Sequence, residues 1–340
     1  MNIKYLFTWR DRKTEVYYDI VFEWEDVLMQ ELGLRPYYYD DGMSDLGGGN
    51  VLNIGMLRRL IRRLKFLRWV FAPHAVGLKF DMSPVTKARY NSEHILPWII
   101  DFYLEETQFK QFNDAYKNHP LVLISSKEAY EKLLAKKDVI KDVNLRHVAL
   151  SISDKYKLST DTKFKKEYDV VLMGRQNPAL MSFFHRYVEA HPELKYVYRK
   201  IDGENYNYYA VQNGVETFIG AINKREEYMD LMHKARIGLY CTPDIDTDHA
   251  RSHGYNQVTP RFLEWIASGA HVIARYVPNP DTEYYRLQDF SEPIETYDQF
   301  EKAMDYAMTH EVDMNKYANY LAQHYTSVRA EEIKRIISEA

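Results

Sequence analysis

The sequence predicts an α/β protein of two domains, each built on a mostly parallel sheet. Its 340 residues exceed one ordinary domain of ~100–200. Short apolar runs alternate with amphipathic ones in both halves, the pattern of strand followed by helix. A polar run without apolar period, residues 153–167, divides the two series.

The elements follow in order. IKYLFTW (3–9) suits a buried strand, and 20–33 has helical period closed by Gly33. PYYYDD follows as a second strand, LRRLIRRLKFLRWVF (57–71) as a helix, and ILPWIIDFY (95–103) as a strand. FKQFNDAYKNH is helical up to Pro120, LVLISS opens a strand, KEAYEKLLAKK a helix, and RHVALSI (146–152) closes the half. The second half repeats the scheme with strands at 168–174, LKYVYRKI, 236–242 and 271–276, and helices at FFHRYVEAH, 225–235 and 260–269, before terminal helices. This places domains at 1–155 and 168–340 around a linker at 156–167, with the last helix packing back on the first domain. Parallel sheets bind ligands at the carboxyl ends of their strands, so the cleft between the domains is the expected active site.

Composition removes several classes. With 46% hydrophobic and 28% charged residues, disorder and low-complexity architectures are excluded. A single cysteine, Cys241, makes neither an internal disulfide nor a thiolate cage, which fits a reducing cytosol. The apolar run at the start breaks at Arg10-Asp11-Arg12-Lys13, too short for a signal peptide or a span, and no later run spans either. Net charge is −4, against general nucleic-acid binding, yet residues 1–160 carry +3 and residues 161–340 carry −7. The 29 tyrosines suit polar-edged clefts and stacking on bases and sugars alike.

Three segments, YDVVLMGR (168–175), EYMDLMHKARIGLY (227–240) and VTPRFLEWIASGAHVI (258–273), resemble in order and spacing the carboxy-terminal nucleotide-sugar domain of GT-B-fold glycosyltransferases, above all the group-1, CgeB-like kind of bacterial surface-polysaccharide synthesis. The resemblance covers most of residues 95–290. It implies two Rossmann-like domains facing across a cleft, the first binding the acceptor and the second a nucleotide sugar. It implies a base held near Gly220 and Ala221 through main-chain groups, diphosphate contacts at Arg175 after Gly174, and a ribose on Glu264. Two positions depart from the family: Asn256 stands where the retaining group has a first glutamate, and Leu180 where a lysine is usual.

The residues carry a physical reading of their own. A helix opening at Thr259-Pro260 turns its positive end toward a loop and suits a diphosphate. Arg261 and Glu264, three apart, share one face, for phosphate and for a pair of hydroxyls respectively; the same charges would also serve a solvated helix face. Gly174 permits close approach of a phosphate. Arg251, His253 and Asn256, with neighbouring Gln257, join the donor-site candidates. The loop DIDTDHARSH (244–253) contains D-x-D twice, as Asp244/Asp246 and Asp246/Asp248, a pattern that either binds a divalent metal or is a solvated loop. In the first half Asp101 falls near a strand's carboxyl end, placed to orient or deprotonate an acceptor hydroxyl or to cap the next helix. His74 and His94 are weaker candidates. No G-x-S-x-G, H-E-x-x-H or Walker loop occurs.

On the 57–71 helix, Leu57, Leu60, Ile61, Leu64, Leu67 and Phe71 form one apolar arc, and Arg58, Arg59, Arg62, Arg63 and Lys65 lie opposite with Phe66 and Trp69 among them. Cations interleaved with aromatics suit an anionic membrane surface; a salt-bridged surface helix is the other reading. The expectation is a cytoplasmic glycosyltransferase, peripheral on the inner membrane face, that moves a sugar from a nucleotide diphosphate donor to a glycan or lipid-linked glycan without a metal cofactor. The alternatives are a metal-dependent transferase of the GT-A type using the aspartate loop, and a non-catalytic sugar- or nucleotide-binding module.

Overall fold

The computed structural model describes residues 1–10, 16–38, 76–89, 92–203, 205–246 and 252–339. The segment 57–71 read as a basic helix, His74, Asp248 and Arg251 lie outside them. The chain forms two compact units, Met1–Ser153 with Thr326–Ala340, and Asp154–Tyr325.

The first unit is a fully parallel sheet of β1 (Ile3–Thr8), β2 (Arg35–Tyr38), β3 (Val76–Asp81), β4 (Ile95–Ile99), β5 (Val122–Ile124) and β6 (Leu145–His147), in the order β2-β1-β3-β4-β5-β6. Helices α1 (Val16–Leu32), α2 (Phe109–Tyr116) and α3 (Lys127–Ala135) connect it, and the C-terminal helix Thr326–Glu339 belongs to this unit. Phe80 stacks on Trp98 and packs tilted against Trp24 in its core, and both indoles spend their N–H on main-chain carbonyls, Trp24 on Ser151 and Trp98 on Val148, each at 3.0 Å. The C-terminal helix buries Ala330, Ile333 and Ile336 there, and Arg329 Nε donates to the Ala149 carbonyl at 3.1 Å.

Strand β3 escapes the sequence reading because Lys79 interrupts its apolar run. In the fold that ammonium is buried and neutralised by Asp81 at 2.7 Å. Strand β4 stops at Ile99 rather than running to 103, and the Ile100 and Asp101 amides donate to Asp81 and Met82 carbonyls.

The second unit carries β7 (Tyr168–Val171), β8 (Tyr196–Asp202), β9 (Asn205–Gln212), β10 (Val215–Ala221), β11 (Ala235–Cys241) and β12 (His271–Arg275), ordered β10-β9-β8-β7-β11-β12. β8, β7, β11 and β12 are parallel, while β9 is antiparallel to both neighbours. Its helices are α4 (Pro178–Ala190), α5 (Arg225–His233), α6 (Pro260–Ala267), α7 (Pro280–Tyr284), α8 (Tyr297–Thr309) and α9 (Met314–Leu321). The core gathers Val170, Phe184, Ile237, Leu239, Ile273, Phe300 and Met304.

The β9–β10 hairpin is absent from the sequence reading although its turn is written there. Asn213-Gly214 joins the paired residues Gln212 and Val215, and both have positive φ, 50° and 73°, the conformation a two-residue hairpin turn demands. The polar run read as a linker is tied into this unit from Asp154 onward. Lys166 Nζ donates to the carbonyls of His233 (3.2 Å) and Ser268 (2.7 Å), closing the carboxyl ends of α5 and α6 together, and Phe164 stacks on His233. Lacking apolar periodicity, the run has no local signal of that anchorage. Among the described residues no helix is long and apolar enough to cross a membrane.

Candidate functional site

In the second unit β7, β8, β10, β11 and β12 end on one edge of the sheet. β7 leads to Gly174, which turns at φ 67°, a conformation a side chain would strain. The chain then reaches Asn177, whose Oδ1 accepts from Leu180 N at 3.0 Å and so caps α4, with Pro178 in the first helical position.

After β11 the chain enters the aspartate loop. Asp244 is buried and accepts a hydrogen bond from Ser252 Oγ. Asp246 is gripped through both oxygens by Arg275, at 2.5 and 2.8 Å, and receives Asn177 Nδ2 at 2.9 Å; the Arg275 hydrogen bonds hold its carboxyl below the usual range. Asp244 and Asp246 thus each have a partner of their own. Among the described residues no group of three histidine, cysteine or carboxylate side chains is placed to hold a metal.

Helix α6 opens at the same edge. The Thr259 amide donates to the Tyr240 hydroxyl at 3.0 Å, while the Thr259 side chain makes no capping bond. Asn256 is held on both ends, its Oδ1 by Thr242 Oγ1 at 2.7 Å and its carbonyl by Asn279 Nδ2 at 3.0 Å. The Arg261 guanidinium packs directly on Gly174, in the space a Cβ would occupy. Its buried Nε has no hydrogen-bond partner among the described residues. Burial opposes the Arg261 charge, but Tyr228 and Glu264 outweigh it, so its pKa lies above the ordinary arginine value.

One turn further, Glu264 is 4% exposed. Its Oε1 meets Arg225 Nη1 at 2.6 Å and its Oε2 accepts from the Tyr228 hydroxyl at 3.2 Å. Burial, followed by the Glu264 charge, pushes the Tyr228 phenol up to about 12. Cys241, at the end of β11, has its thiol raised by burial against the opposing charges of Arg261 and Arg175.

Gly174 thus meets Arg261, which feels the charge of Glu264, and Arg175, next in the chain, is exposed. Gly220 sits on β10 at a bulge opposite Tyr208, which feels the charges of Arg199 and Arg261. His253 is exposed in a left-handed turn, φ 47°. Arg251 and the six residues assigned to a membrane or acceptor surface, Arg58, Arg59, Arg62, Arg63, Phe66 and Trp69, lie outside the described residues. Sequence reasoning missed Arg225 and Tyr228: they look like ordinary surface positions of an amphipathic helix, and only their i, i+3 spacing marks a shared face.

Asp101 belongs to the first unit. It is half-buried just past β4, on the sheet edge where β1 ends in Thr8 and β3 in Asp81. Two clusters on that edge were also missed. Thr8 Oγ1 donates to buried Glu25 at 2.7 Å, and burial pushes the Glu25 carboxyl up to about 8 against that bond and the Arg10 charge. Asp81 accepts from Arg89 at 2.7 and 2.8 Å; burial alone would raise it, but Lys79 and Arg89 hold it low. His94 lies 3.9 Å from Glu93.

No family model matches the chain, and no curated protein is significantly similar to it in sequence. Solved structures do match it. AviGT4, a glycosyltransferase involved in avilamycin A biosynthesis, aligns over 94% of this chain and 90% of its own at 13% identity, with a TM-score of 0.55. The trehalose-6-phosphate synthase OtsA aligns over 100% and 99% at 8% identity, with a TM-score of 0.61. The two six-stranded sheets with their helices have the GT-B fold.

Proposed function

We propose that the chain is a glycosyltransferase that moves a hexosyl group from a nucleoside diphosphate to a hydroxyl of a glycan or lipid-linked glycan in bacterial surface-polysaccharide synthesis. The observation that carries this reading is Arg261: a half-buried arginine packed on Gly174, in the first turn of a helix, whose buried Nε has no hydrogen-bond partner among the described residues. A phosphate oxygen answers each of those features.

In the reaction so assigned, the bond between the anomeric carbon and the phosphate oxygen breaks with its electrons going to the diphosphate. The start of α6, Arg175 and Arg261 stabilise that charge in place of a metal ion. The acceptor oxygen bonds to the anomeric carbon and its proton passes to a base, for which Asp101 is the assigned residue. Glu264 receives the ribose hydroxyls, and Gly220, His253, Asn256 and Thr259 border the donor, with Arg251, outside the described residues, as a further candidate. The cations at 58–63 with Phe66 and Trp69 would hold the enzyme on the inner face of the cytoplasmic membrane beside a lipid-linked acceptor.

The test is a thermal-shift screen of nucleoside diphosphates and nucleotide sugars, followed by release of nucleoside diphosphate in the presence of bacterial glycans, with and without EDTA. Stabilisation by one nucleotide class and turnover that survives EDTA are expected. Activity abolished by EDTA and restored by manganese would reassign the aspartate loop to a metal, and binding without turnover on any acceptor would leave a sugar- or nucleotide-binding module.

A further inference from the structure

We infer that Arg225 and Tyr228 are positioning residues that set the plane of the Glu264 carboxylate and so make the site select a ribose bearing its 2′-hydroxyl; this rests on the donor-site reading above. Two helices each contribute an i, i+3 pair, Arg225 with Tyr228 from α5 and Arg261 with Glu264 from α6. Each Glu264 oxygen takes one donor from α5, Arg225 on Oε1 and Tyr228 on Oε2. An ionised carboxylate offers about four acceptor sites. Two are thus used, and one remains on each oxygen, the arrangement that receives two vicinal hydroxyls. Rotating the carboxylate about its last bond would break both anchoring contacts at once.

Arg225 is itself held. Its side chain is 9% exposed, and the guanidinium lies 5.7 Å from the Tyr156 ring centroid and 5.3 Å from that of Tyr228. Lys155 pairs with Glu226 at 3.1 Å, keeping the segment that carries Tyr156 against the first turn of α5. A buried ion pair is weak evidence for stability, because desolvation offsets much of its attraction. A tie whose only task was to join α5 to α6 would be served as well by apolar contact, whereas an oriented acceptor requires directional donors.

The experiment titrates the full chain with UDP and 2′-deoxy-UDP, and in parallel with the adenine and guanine pairs, for the parent, Arg225→Gln, Arg225→Lys, Tyr228→Phe and Glu264→Gln, recording Tm alongside. The parent should prefer the ribose form of its best base by about tenfold, the size of one lost hydrogen bond to a charged group. Arg225→Gln and Tyr228→Phe should each reduce that preference to roughly threefold or less, chiefly by weakening the ribose form, and Arg225→Lys should restore part of it. Tyr228→Phe removes only a hydroxyl, so it reads the role in a folded chain even if Arg225→Gln does not fold. A preference unchanged in Arg225→Gln and Tyr228→Phe but lost in Glu264→Gln would overturn this inference and leave the donor site standing. A parent that binds no nucleoside diphosphate would overturn both.

Discussion

The guanidinium of Arg261 lies where the side chain of residue 174 would have to stand, and residue 174 is glycine. Two segments that are 87 residues apart in sequence thereby share one small volume at the sheet edge. That volume combines a left-handed turn, a half-buried cation and a helix start.

Gly174→Ala tests this relationship. The substitution strains a φ of 67° and drives a methyl group into Arg261, a combination expected to cost about 1–3 kcal/mol. Donor affinity should fall more steeply than Tm, since the displaced guanidinium is the assigned phosphate ligand. Calorimetric titration beside a melting curve checks it; full donor affinity in the variant would remove Arg261 from the diphosphate.

Glu264→Gln should weaken nucleoside diphosphate binding about tenfold, by substituting a neutral amide for a charged acceptor. Glu264→Ala should do the same and also destabilise the unit by roughly 3–5 kcal/mol, because it strands the buried Arg225 charge. Chemical denaturation of the two variants separates binding from folding, and unchanged nucleotide affinity in Glu264→Gln contradicts the ribose assignment.

Glu25 makes stability depend on pH. Its folded pKa, about 8, lies above the ordinary carboxylate value, so the native chain holds a proton that the unfolded chain releases. The stabilisation is fully present below about pH 4, declines as pH rises, and is gone once pH passes the folded value. Glu25→Gln cannot ionise. The Tm of that variant relative to the parent should therefore improve steadily from pH 5 to pH 8; a difference independent of pH would show that Glu25 titrates normally.

The proposed membrane retention rests on the basic stretch at 58–63. Each exposed Lys or Arg near an anionic surface contributes ~1 kcal/mol, so changing Arg58, Arg59, Arg62 and Arg63 together to glutamine should release the protein from anionic liposomes. Binding by the parent should weaken with salt as screening shortens the reach of those charges. Co-sedimentation measures both, and a parent that ignores anionic liposomes at low salt, or a quadruple variant that binds them equally, leaves this stretch a solvated face.

Much of the alternation was legible because strands and helices are announced by local periodicity. Thr259-Pro260 marks the start of α6, Gly269 its end, and the i, i+3 spacing of Arg261 and Glu264 gives them one face without reference to the rest of the chain. The Asn213-Gly214 turn was equally local and was overlooked, because β9 and β10 mix tyrosine, threonine and glutamate into a weakly apolar alternation.

By itself, then, the sequence determined the α/β class and much of the alternation of strand and helix, with helix boundaries such as Thr259-Pro260, since these follow from backbone preference and local periodicity. Only the tertiary structure decided which charges meet. Arg225 finds Glu264, Arg275 finds Asp246, Lys166 closes α5 and α6, and Arg329 returns the C-terminal helix to the first unit. Such pairings join residues tens to hundreds of positions apart. They depend on desolvation as much as on attraction: a charge taken out of water by packing must find a partner within a few ångströms, and which partner is near is a property of the assembled sheet and helices.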